Sequence, residues 1–241
     1  MIEIKNIYKT FNERTILNNV SFNINDGESI AIIGQSGVGK SVLLKHINGL
    51  LKPDRGILKV DTYDLNKLSY SELQNIRKKM SMVFQFGALF DSMNIRENIS
   101  IAIDNLTNLD NEDKNNRINE SLQLVNLFHT KDMLPSELSG GMKKRIGIAR
   151  AISIKPKYIL YDEPTTGLDP ITTDKIINLM KNVKKNDKVT SIIVTHEMKI
   201  VNEMADRIIM LFEGKVIFDG SPKELNSSKD KYIKYFILGR K

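Results

Sequence analysis

The chain has 241 residues, of which 41% are apolar and 27% charged, with a formal net charge of +7 at pH 7. This composition is typical of a globular protein and excludes a disordered or membrane-embedded chain. Cysteine is absent, which excludes disulfides and thiolate chemistry. The positive charge leaves two interpretations open, a polyanionic partner and a lysine-rich composition spread over solvated surfaces. The second is favoured, because no nucleic-acid-binding motif is present.

The N-terminus predicts neither a signal peptide nor a membrane anchor. Met1–Lys5 alternates apolar and polar residues like a strand, without the basic segment and long apolar run of a signal peptide. No apolar stretch approaches the roughly 18 residues needed to span a bilayer. The sequence therefore predicts a cytoplasmic protein that acts at a membrane only through a partner or the membrane surface.

Short apolar runs divide the chain into predicted strands. Residues 2–24 alternate and predict antiparallel strands at the start of the fold. Four later runs have the length and β-branched content of buried strands, namely Ser29–Ile33, Met80–Phe84, Tyr158–Tyr161 and Ser191–Thr195. Helical stretches lie between them, so the sequence predicts an α/β domain with a largely parallel sheet.

Between residues 85 and 155 the strand signals fade and helical patterns dominate. Within 115–128, Ile118, Leu122 and Val125 recur at helical spacing. This indicates a helical subdomain inserted into the sheet domain, and the absence of an internal repeat indicates one such unit per chain. The predicted organisation is an antiparallel β part and the start of the core over 1–86, the helical insertion over 87–155, the rest of the core over 156–220, and a basic amphipathic tail over 221–241.

A glycine-rich loop follows the first predicted buried strand. Residues 34–41 have the spacing of a phosphate-binding loop, in which glycines turn backbone N–H groups toward phosphates at a helix N-terminus. Lys40 would add a positive charge at the β- and γ-phosphates, and the Ser41 hydroxyl would ligate Mg²⁺. The candidate nucleotide-binding residues are Gly34, Ser36, Gly37, Val38, Gly39, Lys40 and Ser41.

The residues after this loop predict a helix. Leu43, Leu44, Ile47 and Leu50 share one helical face, and Gly49 can end the helix. Because a strand precedes the loop and a helix follows it, nucleotide binding is favoured over an ordinary glycine-rich turn.

Two carboxylates stand at the end of the predicted strand Tyr158–Tyr161. Asp162 and Glu163 follow it directly, and open α/β sheets bind ligands at the carboxyl ends of their strands. Asp162 would hold Mg²⁺ through its water shell, and Glu163 would orient and polarise the attacking water. Together with the phosphate-binding loop, this pair indicates a nucleotide hydrolase.

Leu138–Met142, with the sequence Leu-Ser-Gly-Gly-Met, resembles the signature sequence of ABC transporter ATPases, which usually ends in glutamine. The alternative interpretation is a glycine turn capped by Ser139 before a helix over 142–154. The order of the motifs favours the family, which implies a P-loop NTPase (RecA-like) core with an inserted α-helical subdomain. In that family the nucleotide of the second copy contacts the positions of Ser139, Gly140 and Gly141.

The resemblance extends to single residues, none of which would indicate a function by itself. Phe11 matches the aromatic residue that stacks on adenine, and Gln85 matches the glutamine that reaches Mg²⁺ and senses the permease. Asp169 matches the D-loop aspartate at the dimer interface, and His196 matches the histidine that hydrogen-bonds the γ-phosphate. The resemblance thus implies Lys40, Gln85, Glu163 and His196 as catalytic residues, Phe11 and Asp169 as nucleotide-site residues, and Ser41, Gln85 and Asp162 as Mg²⁺ ligands.

Finer features are similar to one branch of the family. The stretches 41–46, 80–90 and 134–142 look like those of Mla-type phospholipid transporters, whose ATPases serve MCE-domain lipid systems. In that branch Val42 and Met142 replace the more usual threonine and glutamine. This resemblance implies phospholipid transport.

The family resemblance also implies partners and cofactors. Two copies would close head to tail around ATP and Mg²⁺, so that Ser139 and Gly141 of one copy complete the phosphate site of the other. The pair would sit on the cytoplasmic face of the cell membrane, bound to permease subunits, with an MCE-type lipid-binding subunit and a small regulatory subunit expected. No nucleic-acid partner is expected.

Three alternatives remain open on the sequence. The nearest is an amino-acid, metal or lipoprotein transporter ATPase of the same superfamily. A soluble ABC ATPase of translation, DNA repair or iron–sulfur assembly is disfavoured by the single unit and the lack of a long coiled-coil insertion. A nucleotide switch without hydrolysis is disfavoured by Glu163 and His196.

The tail over 221–241 carries six basic and two acidic residues. Ser228 is predicted to cap a helix that Gly239 ends, with Tyr232, Ile233, Phe236 and Ile237 forming one apolar face. This helix would pack on its own chain or on a second copy. The other hypothesis is that it docks a regulatory partner or touches anionic lipid headgroups.

Overall fold

The computed structural model describes residues 1–187 and 189–238 of the chain. Its strands are β1 (Ile2–Phe11), β2 (Arg14–Ile24), β3 (Ser29–Ile33), β4 (Arg55–Val60), β5 (Tyr63–Asp64), β6 (Met80–Val83), β7 (Tyr158–Asp162), β8 (Thr190–Val194), β9 (Arg207–Phe212) and β10 (Lys215–Gly220). Its α-helices are α1 (Lys40–Ile47), α2 (Tyr70–Arg77), α3 (Ile95–Leu106), α4 (Asn111–Leu124), α5 (Gly140–Ile152), α6 (Pro170–Asp187), α7 (Met198–Met204), α8 (Pro222–Ser227) and α9 (Lys231–Ile237).

The chain folds as two compact units. The first comprises Met1–Arg77 and the described residues from Thr190 onward, and the second comprises the described residues of Lys78–Val189. Within the two described ranges, none of the helices combines the length and apolarity needed to cross a membrane.

The first unit begins with an antiparallel sheet in the order β2-β1-β4-β5. Ile2 pairs with Ile24 on one side and with Val60 on the other, and all three side chains are buried. The alternation of β1 is interrupted by a register shift at Asn6, which has a φ of 50°. The predicted antiparallel start of the fold is confirmed.

The first unit also contains a largely parallel sheet. β3 pairs in parallel with β8 and with β9, and β10 pairs antiparallel to β9. Every residue of β3 and β8 is buried, because both faces of these strands are covered. The strand predicted at Ser29–Ile33 is confirmed, and the one predicted at Ser191–Thr195 is β8, displaced by one residue.

The second unit contains the parallel pair β6 and β7, paired from Met80 with Tyr158 to Val83 with Tyr161, together with α3 to α6. The helix predicted over 115–128 is α4, which begins at Asn111 and ends at Leu124. It begins earlier because the Asp110 side chain accepts a hydrogen bond from the Asp113 amide at 2.8 Å and caps the helix. Its predicted apolar face is confirmed, since Ile118, Leu122 and Val125 are buried.

The helix after the glycine-rich loop ends at the predicted glycine. α1 ends at Ile47 with Asn48 as its C-cap, and Gly49 follows with a φ of 71°, the left-handed conformation of a helix-ending glycine. Leu43, Leu44 and Ile47 are fully buried, but Leu50 is 52% exposed. Its assignment to the helical face was wrong, because the helix stops before the turn that would bring it there.

The C-terminal residues form two short helices on the first unit. Leu225 of α8 and Ile233 of α9 belong to a buried cluster with residues of β3, α7 and β9, and the predicted apolar face Tyr232, Phe236 and Ile237 packs against it. The structure thus supports the hypothesis that the apolar face of the tail helix packs on its own chain.

The start of α9 differs from the prediction. Asp230, not Ser228, caps the helix, because its carboxylate accepts a hydrogen bond from the Ile233 amide at 3.0 Å. The predicted end at Gly239 lies outside the described residues.

His46 on α1 gives the first unit a pH-dependent stability. It is fully buried; its Nδ1 lies 2.7 Å from the Val42 carbonyl oxygen, and its Nε2 has no hydrogen-bond partner among the described residues. Burial lowers the pKa of His46 and outweighs the opposing effect of the hydrogen bond with the Val42 carbonyl; the charge of Lys9 lowers the pKa further, and that of Asp54 raises it. Folding therefore favours the neutral ring. Above about pH 6.5 the ring is neutral in both states, and below it protonation favours the unfolded chain.

We expect wild-type stability to fall by up to about 1.4 kcal/mol per pH unit below pH 6.5 from this ring alone. His46→Gln should flatten that dependence in melting curves between pH 7 and pH 5. The exposed His129 provides the control, and His129→Gln should keep the wild-type slope. Equal slopes for His46→Gln and the wild type would contradict this prediction.

Candidate functional site

The loop between β3 and α1 has a backbone that requires glycine. Gly34, Gly37 and Gly39 have φ values of 147°, 77° and 106°, in the left-handed region that other residues seldom adopt. A Cβ on Gly34 would lie 2.4 Å from the carbonyl oxygen of Leu211, so the loop also passes too close to β9 for a side chain there. The sequence of this loop thus dictates its shape.

Lys40 is buried inside this loop. It is 6% exposed, and its Nζ donates hydrogen bonds to the carbonyl oxygens of Gly34 at 2.8 Å and Gln35 at 3.0 Å. In the described structure, α1 has no acidic residue in its first turn and no side chain capping its N-terminus. The ammonium group and the helix dipole therefore act together to favour an anion at the exposed residues 35–37.

A cavity of about 350 Å³ lies beside the loop. Three short segments and one side chain of the first unit line it: Arg14–Ile16, Gln35–Val38, Phe212–Gly214 and Tyr232.

Tyr232 forms part of the cavity wall. Its ring lies 4.1 Å from that of Phe212, centroid to centroid, and its buried hydroxyl has no hydrogen-bond partner in the described part of the chain. Burial raises the pKa of Tyr232, and the charge of Glu213 adds to the effect. The C-terminal helix α9 thus forms a wall of a cavity next to the phosphate-binding loop.

Two other predicted site residues lie in the first unit. Phe11 ends β1 and is 41% exposed, with the Nζ of Lys9 5.2 Å from its ring centroid. It does not line the cavity described above. His196 follows β8 and is exposed. Their roles at adenine and at the γ-phosphate stay predictions.

The second unit carries the two carboxylates at the end of β7. Asp162 is its last residue, and Glu163 follows with a φ of 50°. A positive φ is uncommon for a residue with a Cβ, and such conformations concentrate at functional sites. The Thr166 hydroxyl donates a hydrogen bond to Oε2 of Glu163 at 3.0 Å. The backbone turn and this hydrogen bond together orient the Glu163 carboxylate.

The signature residues form the start of α5. The Ser139 hydroxyl accepts a hydrogen bond from the Met142 amide at 3.3 Å and caps the helix, which begins at Gly140. A Cβ on Gly141 would lie 2.6 Å from Cγ2 of Thr172, so a side chain there would displace the Thr172 side chain of α6. A Cβ on Gly140 would meet no atom of the described chain within 4 Å. Among the described residues Gly140 therefore has no packing requirement, and it leaves this helix N-terminus open to an approaching group.

Asp169 lies before the first turn of α6. Its Oδ1 accepts a hydrogen bond from the Thr172 amide at 2.9 Å. The hydroxyl and then the amide of Thr172 lower the pKa of Asp169, which keeps this exposed carboxylate charged. Asp169 thus caps α6, which is a structural reason for an aspartate at this position.

Gln85 lies half-buried in the turn that follows β6, and α5 holds the loop after it. The Arg150 guanidinium donates hydrogen bonds to the carbonyl oxygens of Gly87 at 2.9 Å and Ala88 at 2.8 Å. Gly87 has a φ of 78°, and a Cβ there would lie 2.8 Å from the Lys143 carbonyl oxygen. The loop that carries Gln85 is therefore tied to the helix that carries the signature residues.

A family model described as ABC transporter matches residues 17–166, which is more than half of the chain. The chain belongs to the ABC transporter family. The match begins in β2 and extends beyond the carboxylates at β7, so it contains both the phosphate-binding loop and the signature residues.

Relatives of this ABC-family chain match over nearly its whole length. The methionine import ATP-binding protein MetN of Clostridium tetani is 40% identical over 237 residues, which cover 98% of this chain and 74% of the relative. The chloroplast protein trigalactosyldiacylglycerol 3 of Arabidopsis thaliana is 36% identical over 260 residues, covering 99% of this chain and 74% of the relative. Other MetN relatives are matched over 66% of their length.

The fold of this ABC-family chain also matches a solved structure. A dimeric structure of the ATP-binding cassette MJ0796, in a post-hydrolysis state with ADP and Pi, has 34% sequence identity and a TM-score of 0.84. The similarity covers 92% of this chain and 99% of that one. The predicted α/β fold with a P-loop NTPase core is confirmed.

The ABC family implies Mg²⁺ beside ATP. In the described part of the chain, no group of three or more His, Asp or Glu residues could hold a metal ion. Magnesium usually takes one or two protein oxygens together with nucleotide phosphates. Ser41 at the start of α1 and Asp162 at the end of β7 are oxygen donors of this kind, and Gln85 supplies an amide oxygen. Each of these side chains is of the kind that Mg²⁺ takes beside a nucleotide, and their roles as its ligands stay predictions.

The sequence reasoning missed several residues around these motifs. Spacing gives no signal for Tyr232, which is distant in sequence from the loop whose cavity it lines. Arg150 and Thr166 lie in a helix and a loop already assigned to the family pattern, and only the fold reveals their hydrogen bonds.

Proposed function

We propose that this ABC-family ATP hydrolase is the cytoplasmic ATPase subunit of an importer for methionine or a similar amino acid. The substrate assignment rests on the 40% identity to a methionine import ATP-binding protein over 98% of the chain. The relatives support the amino-acid alternative better than phospholipid transport.

In the proposed reaction, the loop over 34–41 binds the β- and γ-phosphates, and Lys40 neutralises part of their charge. Phe11 stacks on adenine, and His196 donates a hydrogen bond to the γ-phosphate. Glu163 accepts a hydrogen bond from water and orients it for in-line attack. Mg²⁺, when bound, neutralises charge that develops on the phosphates, with Ser41, Gln85 and Asp162 as its proposed ligands. The orientation of Glu163 by Thr166 supports this role.

The proposed active form is an ATP-bound pair of chains. The open N-terminus of α5, capped by Ser139 and free of a side chain at Gly140, suits the phosphates of a nucleotide held by the second copy. Asp169 lies at the same interface in this proposal. The dimeric state of the similar cassette MJ0796 supports it.

Phospholipid transport is a second candidate. One relative, 36% identical over 99% of this chain, carries the name of a galactolipid. The stretches 41–46, 80–90 and 134–142 also resemble Mla-type cassettes. An MCE-type lipid-binding subunit and a small regulatory subunit would accompany this candidate alone.

Exposed aromatic residues support a permease contact near Gln85. Phe84, Phe86 and Phe90 are 38%, 79% and 49% exposed. Exposed apolar patches on a protein surface often mark sites where another protein binds. We propose that this loop contacts a cytoplasmic helix of the permease, so that closure of the ATP-bound pair moves the membrane subunits.

We expect a photo-cross-linker at Phe86 to capture an integral membrane protein in native membranes. A cross-linker at Leu124, which is 51% exposed on α4, is the matched control and should capture much less of that protein.

Transport substrate is tested separately. The purified complex in liposomes should hydrolyse ATP faster when methionine and a methionine-binding protein are supplied. Stimulation by phospholipid transfer instead would favour the second candidate. Exclusive capture of ribosomal or DNA-repair proteins would contradict the transporter assignment.

A further inference from the structure

Lys144 is a buried lysine of α5, one turn after the signature residues. It is 5% exposed, and its Nζ donates a hydrogen bond to the Thr166 carbonyl oxygen at 2.6 Å. Burying an ammonium group is costly unless it is well paired. A methionine would fill similar space without that cost, but it could not donate the hydrogen bond that the lysine donates to Thr166.

Thr166 connects this lysine to Glu163. Its backbone carbonyl accepts from Lys144, while its hydroxyl donates to Oε2 of Glu163 at 3.0 Å. The neighbouring Thr165 offers a contrast. It is 1% exposed, and its hydroxyl has no hydrogen-bond partner in residues 1–187 and 189–238. Only one of two adjacent threonines is therefore connected to the carboxylate.

The segment from Glu163 to Thr166 must keep a fixed conformation if the Glu163 carboxylate is to orient water. Glu163 has a φ of 50°, and such a conformation persists only where surrounding contacts determine it. The Glu163 carboxylate can orient water only if its oxygens stay within a narrow range of positions. A lysine fixing the Thr166 backbone and a hydroxyl fixing the carboxylate together restrict both ends of this short segment.

We propose that Lys144 and Thr166 are positioning residues for ATP hydrolysis, through a hydrogen-bond relay from the signature helix α5 to the Glu163 carboxylate. The proposal rests on the proposed function, in which Glu163 orients the attacking water. Neither residue touches the water in this proposal. Lys144 holds the Thr166 backbone, and Thr166 holds the carboxylate.

Steady-state ATPase assays on the full chain test this relay. Thr166→Val keeps the shape of the side chain and should lower kcat about tenfold, with KM changed less than about twofold. Thr166→Ser, which keeps the hydroxyl, should retain most of the wild-type kcat. Lys144→Met should lower kcat about fivefold, and Lys144→Arg should recover most of that loss. The control Thr165→Val should keep the wild-type rate.

A double-mutant comparison separates positioning from general loss of structure. In a Glu163→Gln background, Thr166→Val should cause no further loss of the residual rate, because the carboxylate it positions is already gone. Melting temperatures and the Kd for a fluorescent ATP analogue should match the wild type for Thr166→Val. Equal losses for Thr165→Val and Thr166→Val, or a tenfold further loss in the Glu163→Gln background, would overturn the relay.

The relay and the proposed function fail differently. If Glu163→Gln lowers kcat by at least about 100-fold while Thr166→Val and Lys144→Met keep the wild-type kcat, only the relay is wrong. If Glu163→Gln itself keeps the wild-type rate, the assignment of Glu163 and the relay are both overturned.

Discussion

Glu163→Gln is expected to lower kcat for ATP hydrolysis by at least about 100-fold while ATP binding is retained. Glutamine has nearly the same shape as glutamate, but it lacks the negative charge that polarises the attacking water. ATP held without hydrolysis should keep two chains together. In the presence of ATP and Mg²⁺, we therefore expect the variant to elute as a dimer in size-exclusion chromatography and to return to monomer when nucleotide is removed.

The matched control for this prediction is Glu120→Gln, an isosteric change on α4 of the same unit. Glu120 is exposed, with its Oε2 3.6 Å from Nε of Arg117, and exposed pairs of this kind contribute little to stability. The control should hydrolyse ATP at the wild-type rate and should form no lasting dimer. A wild-type rate for Glu163→Gln would show that another residue orients the water.

Lys40→Ala is expected to raise the Kd for ATP by at least about tenfold. The Lys40 ammonium lies inside the loop, where it donates to two backbone carbonyls, and it is the buried positive charge of the phosphate-binding loop. A bound phosphate would lose a charge-assisted hydrogen bond, each of which contributes about 1.5–3 kcal/mol. Isothermal titration or a fluorescent ATP analogue measures the change directly.

The neighbouring Lys45 provides the control, since it lies on the same helix and its side chain is exposed. Lys45→Ala should change the Kd less than about twofold. Because alanine leaves space around the Gly34 and Gln35 carbonyls, Lys40→Met should be measured as well, with melting curves of both variants. A wild-type Kd for a folded Lys40→Met would contradict phosphate binding by this lysine.

Much of the fold followed from short-range patterns. The buried strand Ser29–Ile33 was predicted with its observed bounds, because a β-branched apolar run between polar residues has few alternatives. Helix ends were predicted less well. α4 begins at an Asp110 cap, and α9 at an Asp230 cap. Several residues near each end can cap a helix, and the one used depends on how the helix packs.

The site residues, too, comprise some that a local pattern indicates and some that depend on packing. The glycines and Lys40 of the phosphate-binding loop could be named from the sequence because the motif is local, and Gly34, Gly37 and Gly39 have positive φ values that glycine adopts readily. The contribution of Tyr232 to the adjacent cavity could not be predicted, because it depends on the packing of α9 beside β9. The partner of Lys144 could not be predicted either, because Thr166 lies on a loop that sequence spacing does not relate to α5.

The sequence alone determined that this chain is an ATP hydrolase of the ABC transporter family, and it predicts phosphate binding by residues 34–41, because these inferences depend on short motifs with fixed spacing. It could not determine the transported molecule, since the ATPase motifs are shared by transporters of many substrates. Only the tertiary structure decided that Lys144 and Thr166 connect the signature helix to Glu163. That link requires two segments distant in sequence to approach within hydrogen-bond distance, and packing, rather than any local preference, brings them together.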